Sequence, residues 1–220
     1  MLSKNQIKRR LKILVSGVKR IGLKNRDFSI ISNNCWGGMI YDEFHLQYLT
    51  PTVGMWIPAE DYIRFVSNLK YYLALDVEKI TYKESHVREL LERRKTEGRY
   101  TFELDDLVLG RIDDVDIVFL HYRSFEDAKA KWEKRRTRVN FDNLTVKFND
   151  QNGFKKEHYK EFCELDYKNK LFFTVNEQLL DYNWCYLFHS KDDDGNVDDT
   201  VIGKQPFSVK QLLNSLWDAE

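Results

Sequence analysis

Cys35 stands where a thiol could do covalent chemistry. The stretch Asn33-Asn34-Cys35-Trp36-Gly37-Gly38 follows a short apolar run and precedes residues with helical spacing. A thiol at a helix N-terminus commonly has a lowered pKa. The turn therefore predicts either a nucleophile for acyl transfer, with backbone N–H groups holding the oxyanion, or a small buried cysteine in a tight turn.

The neighbours of Cys35 are predicted to contact a substrate. Asn33 and Asn34 could orient a hydroxyl or carbonyl group, and Trp36 belongs to the same turn. Gly37 and Gly38 would let backbone approach a ligand at the start of the helix. The carboxyl ends of strands in an α/β sheet are the usual place for such a site.

Two further side chains end predicted strands. His121, with Arg123 beside it, closes the strong strand signal at Asp116–Tyr122, and Asp150 follows a strand at 144–148. Parallel strands end at one edge, so His121 is predicted to approach Cys35 as a general base, with Arg123 flanking them as a substrate-binding residue. Asp150 is predicted to be a catalytic carboxylate at the same edge. The alternatives are a hydrogen-bonded structural histidine and an aspartate of an Asx turn.

A basic stretch from Lys131 to Asn140 supplies candidate anion-binding residues. Trp132, Arg135 and Arg138 recur every three residues, near one helix face, and Asn140 closes the stretch. Guanidinium groups match phosphate or carboxylate at two points, and tryptophan stacks on a sugar or base. The alternative is a solvated basic helix, or arginines paired with acidic residues elsewhere.

Several common sites are excluded by spacing. The dinucleotide fingerprint, the phosphate loop and the serine elbow are all absent from the sequence. The five histidines lack zinc-ligand spacing, and the glycine of Asp192-Asp193-Asp194-Gly195-Asn196 comes too early for a calcium loop. No metal site is predicted.

The chain begins with a basic leader. Residues 1–26 hold nine lysines and arginines and no acidic residue, whereas the chain as a whole has 35 of each charge. Residues 4–24 predict an amphipathic helix with apolar positions at Ile7, Leu11, Leu14, Val15, Val18 and Ile21. This helix would either pack on the domain or lie on anionic lipid. Nucleic acid is not an expected partner, because no aromatic pattern or motif accompanies the charge.

Strands and helices alternate through most of the chain, which predicts an α/β fold with a mostly parallel, Rossmann-like sheet and helices on both faces. We expect residues 1–26 to form the leader helix and 27–220 the α/β domain, with a subdomain boundary near 76–112 as an alternative. The predicted strands are 28–33, 53–57, 100–104, 116–122, 144–148, 170–175 and 182–189. The predicted helices are 37–48, 59–73, 84–94, 125–138, 155–164 and 209–217.

Composition favours a reducing compartment. The three cysteines are an odd number without paired spacing, so no disulfide framework is expected. No apolar run approaches about 18 residues, so no membrane-spanning helix is predicted. We expect a cytoplasmic protein, or one peripheral at the inner face of the membrane.

Three stretches carry a family resemblance: FSIISNNCWGG at 28–38, FLHYRSFEDAKAKWEKRRTRVNFDN at 119–143 and YKNKLFFT at 167–174. They resemble a bacterial family of uncharacterised proteins often labelled exopolysaccharide or capsule biosynthesis proteins. More distantly, the Asn34-Cys35 turn is similar to the Gly-Asn-Cys-Gln turn of capsule acetyltransferases, with Asn33 and Trp36 replacing the glycine and glutamine.

The resemblance implies a pathway, and the residues suggest the reaction. The first hypothesis is acyl (acetyl) transfer to a sugar hydroxyl of a glycan or lipid-linked sugar, with acetyl-CoA as a candidate donor. The second is a sugar transferase that uses a nucleotide-sugar. The third is a non-catalytic binding or scaffold protein of a membrane-associated glycan assembly.

Overall fold

The computed structural model describes residues 14–98, 103–192 and 195–216, without the side chain of Ile202. Seven strands are present in this part of the chain: β1 (Ser29–Ser32), β2 (Glu78–Ile80), β3 (Leu109–Ile112), β4 (Val115–Val118), β5 (Leu144–Asn149), β6 (Asn169–Thr174) and β7 (Cys185–Leu187). The helices after residue 30 are α1 (Trp36–Glu43), α2 (Ala59–Ser67), α3 (Leu69–Ala74), α4 (Arg88–Thr96), α5 (Phe125–Arg136), α6 (Lys156–Glu164) and α7 (Val209–Ser215).

The strands form two sheets. β1, β5, β6 and β7 lie side by side in that order, and every neighbouring pair is parallel. β2, β3 and β4 form a separate antiparallel sheet. The α/β prediction with a parallel sheet between helices is confirmed. Two strands of the small antiparallel sheet, β2 and β3, lie in the region 76–112 that was given as a possible subdomain boundary, and β4 follows it.

Alternate residues of the parallel strands supply two cores, because successive side chains of a strand point to opposite faces. Ile31 and Phe172 belong to a cluster with α2, α3, α5 and α6, whereas Ile30 and Phe173 belong to a cluster with α1 and α7. Ile112, Val115 and Ile117 of the small sheet share the first cluster, so both sheets are packed into one continuous core.

Residues 53–57 connect the sheets by hydrogen bonds. The Ile57 N–H donates to the Asn33 carbonyl at the end of β1 (2.9 Å), and Trp56 exchanges two backbone hydrogen bonds of 3.0 Å with Val118 of β4. The predicted strand at 53–57 is thus only a bridge at Trp56. The Val53-Gly54 stretch before the bridge turns away, with Gly54 at a positive φ of 70°.

Other elements differ from the predictions in extent. β4 occupies Val115–Val118 and pairs antiparallel with β3, so the run predicted at 116–122 is not a central parallel strand. The helix predicted at 59–73 is interrupted at Asn68, whose φ and ψ of −139° and 52° are not helical. Of the strand predicted at 100–104, residues 100–102 lie outside the described part, and Leu104–Asp106 form a 3₁₀ turn.

The leader helix is described only from residue 14, and residues 14–19 are helical. Its small and polar side faces the protein: Ser16 is buried, Lys19 forms an ion pair with Glu43, and Arg20 Nη1 donates to the His45 carbonyl (3.1 Å). Its apolar side chains are exposed by half or more, namely Leu14, Val15, Val18 and Ile21. In these residues the apolar face does not pack on the domain, and residues 4–13 of the predicted helix lie outside the described range.

No helix in the described ranges combines the length and the apolar character needed to cross a lipid bilayer.

Candidate functional site

One cavity of about 580 Å³ contains both the Cys35 thiol and the His121 imidazole in its lining. Apolar and aromatic side chains form much of its wall: Met39, Tyr48, Val53 and Leu120. Asp42 and Glu43 at the end of α1, Gly38, Gly54 and Thr200 complete the lining. A thiol and an imidazole in one concave, largely apolar cavity are a reasonable basis for an active site.

Cys35 occupies the N-cap position of α1, directly after the turn that follows β1. Its Sγ lies 3.6 Å from the Met55 carbonyl oxygen, so the thiol donates a hydrogen bond to residues 53–57. Burial raises the pKa of the Cys35 thiol to about 11, and the Asp199 carboxylate adds to this effect. The expected lowering by the helix N-terminus is therefore wrong, because desolvation outweighs it. The resting group is a neutral thiol at pH 7.

His121 reaches the cavity through a turn after β4. Its backbone N–H donates to the Gly54 carbonyl (3.0 Å), which places its side chain beside Gly54. A Cβ atom at Gly54 would lie only 3.3 Å from His121 Cβ, and the positive φ also favours glycine there. Cys35 and His121 therefore line the same cavity because each bonds to residues 53–57, and not because they end parallel strands at a common edge. Sequence reasoning missed Gly54, whose only signal was a lone glycine inside a strand-like run.

Arg135 lies behind one wall of the cavity. Its guanidinium lies 4.8 Å from the centroid of the Tyr48 ring, and Nη1 donates to the Tyr122 hydroxyl (2.7 Å). That hydroxyl donates in turn to the carbonyl of Val53 (2.5 Å), which also lines the cavity. Arg135 therefore does not line the cavity itself, but its guanidinium contacts Tyr48, which does.

Like Arg135, the other members of the basic stretch do not line the cavity. The Trp132 ring is 1% exposed and packs near Phe65 in the core, so it has no free face for a sugar or base. Asn140 donates to the Asp27 carbonyl and, through its backbone, to Ser29 Oγ, at the amino end of β1 opposite Cys35. Arg123 is exposed and Arg138 is half-buried beyond the end of α5.

The turn residues around Cys35 pack and bond within the protein. Trp36 is fully buried against Phe173, and its Nε1 donates to Gln205 (3.2 Å). A Cβ at Gly37 would lie 3.0 Å from Ile30 Cγ2, and one at Gly38 would lie 3.0 Å from Val53 Cγ1. The lack of a side chain at Gly37 and Gly38 therefore lets α1 approach the sheet and residues 53–57. Of these two glycines, only Gly38 lines the cavity.

Asn33 and Asn34 belong to a polar network beneath the turn. Asn33 Nδ2 donates to Asn149 Oδ1 (2.7 Å), and Asn34 Nδ2 donates to Asp199 Oδ1 (2.7 Å). The Lys147 ammonium donates to the Asp199 carboxylate and to Asn34 Oδ1. Burial lowers the pKa of Lys147, and Asp199 opposes that shift. The two asparagines are buried in this network and hold β1 to β5, so neither presents its amide to the cavity.

Asp150 lies outside the Cys35 cavity. Its Oδ2 accepts hydrogen bonds from Thr174 Oγ1 (2.7 Å) and the Val175 N–H (3.0 Å), and its Oδ1 accepts one from the Val197 N–H (2.8 Å). The carboxylate is buried and lines a different cavity of about 250 Å³. Asp150 therefore orders the loops at the carboxyl ends of β5 and β6 and is not grouped with Cys35 and His121.

A second ionisable cluster was missed by the sequence reasoning. Asp61, His86 and Asp116 offer ligand atoms within 4.8 Å of one another, the one such group in the described residues. The Asp61 and Asp116 side chains already bind cations, since Arg64 donates to Asp61 (2.8 Å) and Arg111 Nε donates to Asp116 (2.6 Å). The cluster is an ion-pair network, and its three members are too far apart in the sequence to form a recognisable motif.

His86 has a raised pKa in this network, mainly because its imidazole is hydrogen-bonded to Asp61, with a separation of 2.7 Å from Nε2 to Oδ2. Burial raises the pKa of the Asp61 carboxyl, although its bond to His86 opposes that shift. The cluster connects α2 and the turn before α4 to β4. Its main structural effect is therefore to fix the position of the small sheet.

Comparison with known proteins places the whole described chain in one family. Residues 6–219 match a family described as "Domain of unknown function (DUF1919)". An "Uncharacterized protein" from Haemophilus influenzae (strain ATCC 51907 / DSM 11121 / KW20 / Rd) is 27% identical over 171 residues, which are 78% of this chain and 73% of that protein. Neither name states an activity.

Proposed function

The chain belongs to the DUF1919 family, and from that premise we propose that it is an enzyme of surface-polysaccharide assembly that transfers an acyl group to a sugar hydroxyl. The observation that carries the proposal is the shared cavity of Cys35 and His121. The resemblance of its three sequence stretches to exopolysaccharide and capsule biosynthesis proteins supports the pathway.

In this proposal His121 is the general base. It accepts the proton of the sugar hydroxyl as the hydroxyl oxygen attacks the acyl carbonyl carbon, and the donor leaves as a thiolate that is then protonated. The donor class is an acyl thioester such as acetyl-CoA. Arg135, held against Tyr48, attracts the anionic part of the donor or acceptor.

Cys35 lines the acyl end of the cavity in this scheme. Because its pKa is raised to about 11, direct transfer to the sugar is favoured over an acyl-cysteine intermediate. The intermediate route requires His121 to remove the thiol proton first. The two routes differ in what a serine at residue 35 would retain.

The test is an acyl-transfer assay of the full chain with acetyl-CoA and a panel of free and lipid-linked sugars, read by mass spectrometry. His121→Asn is expected to lower the rate about 100-fold or more, the usual contribution of a general base. The matched control is His189→Asn, an exposed histidine outside the cavity. Cys35→Ser should keep most of the activity if transfer is direct. Absence of acyl transfer to every acceptor, or equal rates in both histidine variants, would contradict the proposal.

A nucleotide-sugar transferase has less structural support. Asn33 and Asn34, which were predicted to bind its substrate, form hydrogen bonds within the protein. Trp132, which was predicted to stack on a base or sugar, is buried. The same assay with nucleotide-sugars in place of the acyl thioester distinguishes a sugar transferase from an acyltransferase. Consumption of a nucleotide-sugar with no use of acyl thioesters would replace the first proposal by this one.

A membrane-docking role is favoured by a separate observation, the outward apolar face of the leader helix. Leu14, Val18 and Ile21 are each about two-thirds exposed, whereas Ser16 and Lys19 face the protein. We propose that this face lies on the anionic lipid of the inner membrane surface, where it would place the enzyme near lipid-linked sugars. The nine basic and no acidic residues of 1–26 fit anionic lipid.

Sedimentation with vesicles tests the docking role. Wild-type protein should bind vesicles containing phosphatidylglycerol more than phosphatidylcholine vesicles, and less at high salt. Val18→Asp should reduce binding, whereas Leu180→Asp, at an exposed leucine elsewhere, should not. Equal partitioning of wild type and Val18→Asp onto the vesicles would contradict the docking proposal. A dimer in solution that Val18→Asp dissociates would also contradict it.

A further inference from the structure

A second cavity, about 250 Å³ in volume, lies at the carboxyl end of β5. Arg93 and Arg94 of α4 line one side, and Asn152, Gly153 and Phe154 of the loop after β5 line another. We propose that this cavity is an oxyanion site that takes a single phosphate or carboxylate group. The inference does not depend on the proposed acyl transfer.

Within the described residues, two buried N–H groups that belong to lining residues of this cavity have no acceptor. Asn152 is 95% buried, and its Nδ2 has no hydrogen-bond partner in the parts of the chain that the structure describes. Arg94 Nε is likewise buried without a partner there. Buried donors are almost always paired, so two of them from residues that line one cavity indicate a missing acceptor. An oxyanion has enough oxygen atoms for both.

The two donors are held in place by the surrounding protein. Arg94 Nη2 donates to Asn152 Oδ1 (2.9 Å), and the Arg94 guanidinium lies 4.7 Å from the centroid of the Trp56 ring. The Asn152 carbonyl accepts from the Ala59 N–H at the start of α2 (2.9 Å). Asn152 and Gly153 both have positive φ, 61° and 83°, so the loop turns sharply against α4. The site is thus built from fixed side chains on three elements.

The charge of the lining favours an anion. Arg93 and Arg94 each contribute a guanidinium, the group that best matches two oxygens of a phosphate or carboxylate. Arg94 carries the argument, because Arg93 Nε also lies 3.9 Å from Glu97 Oε1. Asp150 also lines the cavity, but both of its oxygens already accept hydrogen bonds, from Thr174, Val175 and Val197. Its carboxylate therefore does not compete for the free donors.

The volume and position limit the ligand. The cavity is smaller than the roughly 300–1,000 Å³ typical of sites for whole organic ligands, so it suits one anionic group. It lies beyond the carboxyl end of a strand in a parallel sheet, the edge where α/β proteins bind ligands. The anion is either a free ion or the phosphate of a larger molecule that extends into solvent.

Isothermal titration of the full chain tests the site, with inorganic phosphate, acetate and a nucleoside monophosphate as probes in buffer of constant ionic strength. Asn152→Gly removes the side chain and keeps the positive φ, and Arg94→Gln removes the charge. Both are expected to weaken saturable phosphate binding at least about tenfold. Arg88→Gln on the same helix, whose half-exposed side chain pairs with Glu92, is the matched control and should bind as wild type does.

The relative affinities of the probes identify the kind of anion that binds. Tighter binding of the monophosphate than of inorganic phosphate would assign the site to a phosphate group of a larger ligand, and equal binding would assign it to the free ion. Binding that Arg88→Gln and Asn152→Gly change equally would overturn the proposal, as would no saturable binding of any probe. Circular dichroism of each variant establishes that loss of binding is not loss of fold, and Arg94→Lys provides a second variant that retains charge.

Discussion

Lys147 and Asp199 form an ion pair from which solvent is fully excluded, and the pair lies under the turn that carries Cys35. Both side chains are 0% exposed, and the Lys147 Nζ also lies 3.1 Å from Asn34 Oδ1. Lys147 projects from β5, while Asp199 comes from the loop before α7. The pair therefore joins the sheet to the C-terminal part of the chain at the base of the candidate site.

Removing one partner of this pair should be far more costly than removing both. Lys147→Met leaves the Asp199 carboxylate buried without a cation, which should lower the free energy of unfolding by about 3–5 kcal/mol. The double variant Lys147→Met/Asp199→Asn should recover a large part of that loss. Urea denaturation measures both, and Lys129→Met, at an exposed pair with Glu133, should change stability by less than about 1 kcal/mol. If the double variant is as unstable as Lys147→Met, the unpaired charge of Asp199 is not the cause of the lost stability.

Alanine at Gly37 should destabilise the protein although alanine favours helices. The new Cβ would lie 3.0 Å from Ile30 Cγ2 and 3.3 Å from the Ile30 carbonyl oxygen, which forces α1 away from β1. Such overpacking costs about 1–3 kcal/mol. Gly17→Ala in the leader helix is the matched control, because a Cβ there meets only Arg20 Nη2 at 3.8 Å, and it should be neutral or stabilise by up to about 1 kcal/mol. Thermal unfolding would contradict the packing argument if both variants shifted in the same direction.

The Cys35 thiol should react slowly at neutral pH. With a pKa of about 11, roughly one molecule in ten thousand carries the thiolate at pH 7. The rate of alkylation by iodoacetamide, followed by mass spectrometry of the peptide containing residue 35, should rise steadily from pH 7 to pH 10. A rate that reaches its plateau below pH 8 would indicate a thiolate at rest and would restore the acyl-cysteine route.

His86 should make stability depend on pH in one direction. Its folded pKa is raised above the ordinary 6.5, mainly by its hydrogen bond to Asp61, so protonation favours the folded state. This contribution is fully present below pH 6.5 and is lost as the pH rises through the raised folded value. His86→Gln should therefore lower the melting temperature more at pH 6 than at pH 9. The exposed His189→Gln serves as control, and a His86→Gln effect that is equal at both pH values would contradict the assignment.

The strand-turn-helix unit around Cys35 was predictable because local patterns determine it. The apolar run at 28–33, the glycine pair and the later helical spacing correspond to β1 and α1, although α1 ends at Glu43, before the predicted residue 48. β5 and β6 agree with their predicted ranges to within one residue at each end. In β5 the apolar residues Leu144, Val146 and Phe148 alternate with polar ones, which is the period of a strand.

Strand pairing was less predictable. The apolar run of β4 is the same whether its neighbour is parallel or antiparallel, so the sequence did not reveal that β4 pairs with β3 in a separate sheet. His121 was predicted to approach Cys35 for that incorrect reason, and it lines the same cavity because its backbone N–H bonds to Gly54. The role of Trp132 was misjudged because spacing along a helix does not say which face is buried, and Trp132 faces the core. The role of Asn140 was misjudged because it lies beyond the end of α5, where it bonds to the amino end of β1.

The hydrogen bonds of residues 53–57 have a mechanical consequence for the cavity. Cys35 is bonded through Sγ to the Met55 carbonyl, and His121 is bonded through its N–H to the Gly54 carbonyl. Adjacent peptide units thus hold both residues, and the same segment is bonded to Asn33 after β1 and to Val118 of β4. A shift of one sheet relative to the other would break these bonds, so we expect the cavity to change shape mainly by rotation of lining side chains such as Met39 and Tyr48.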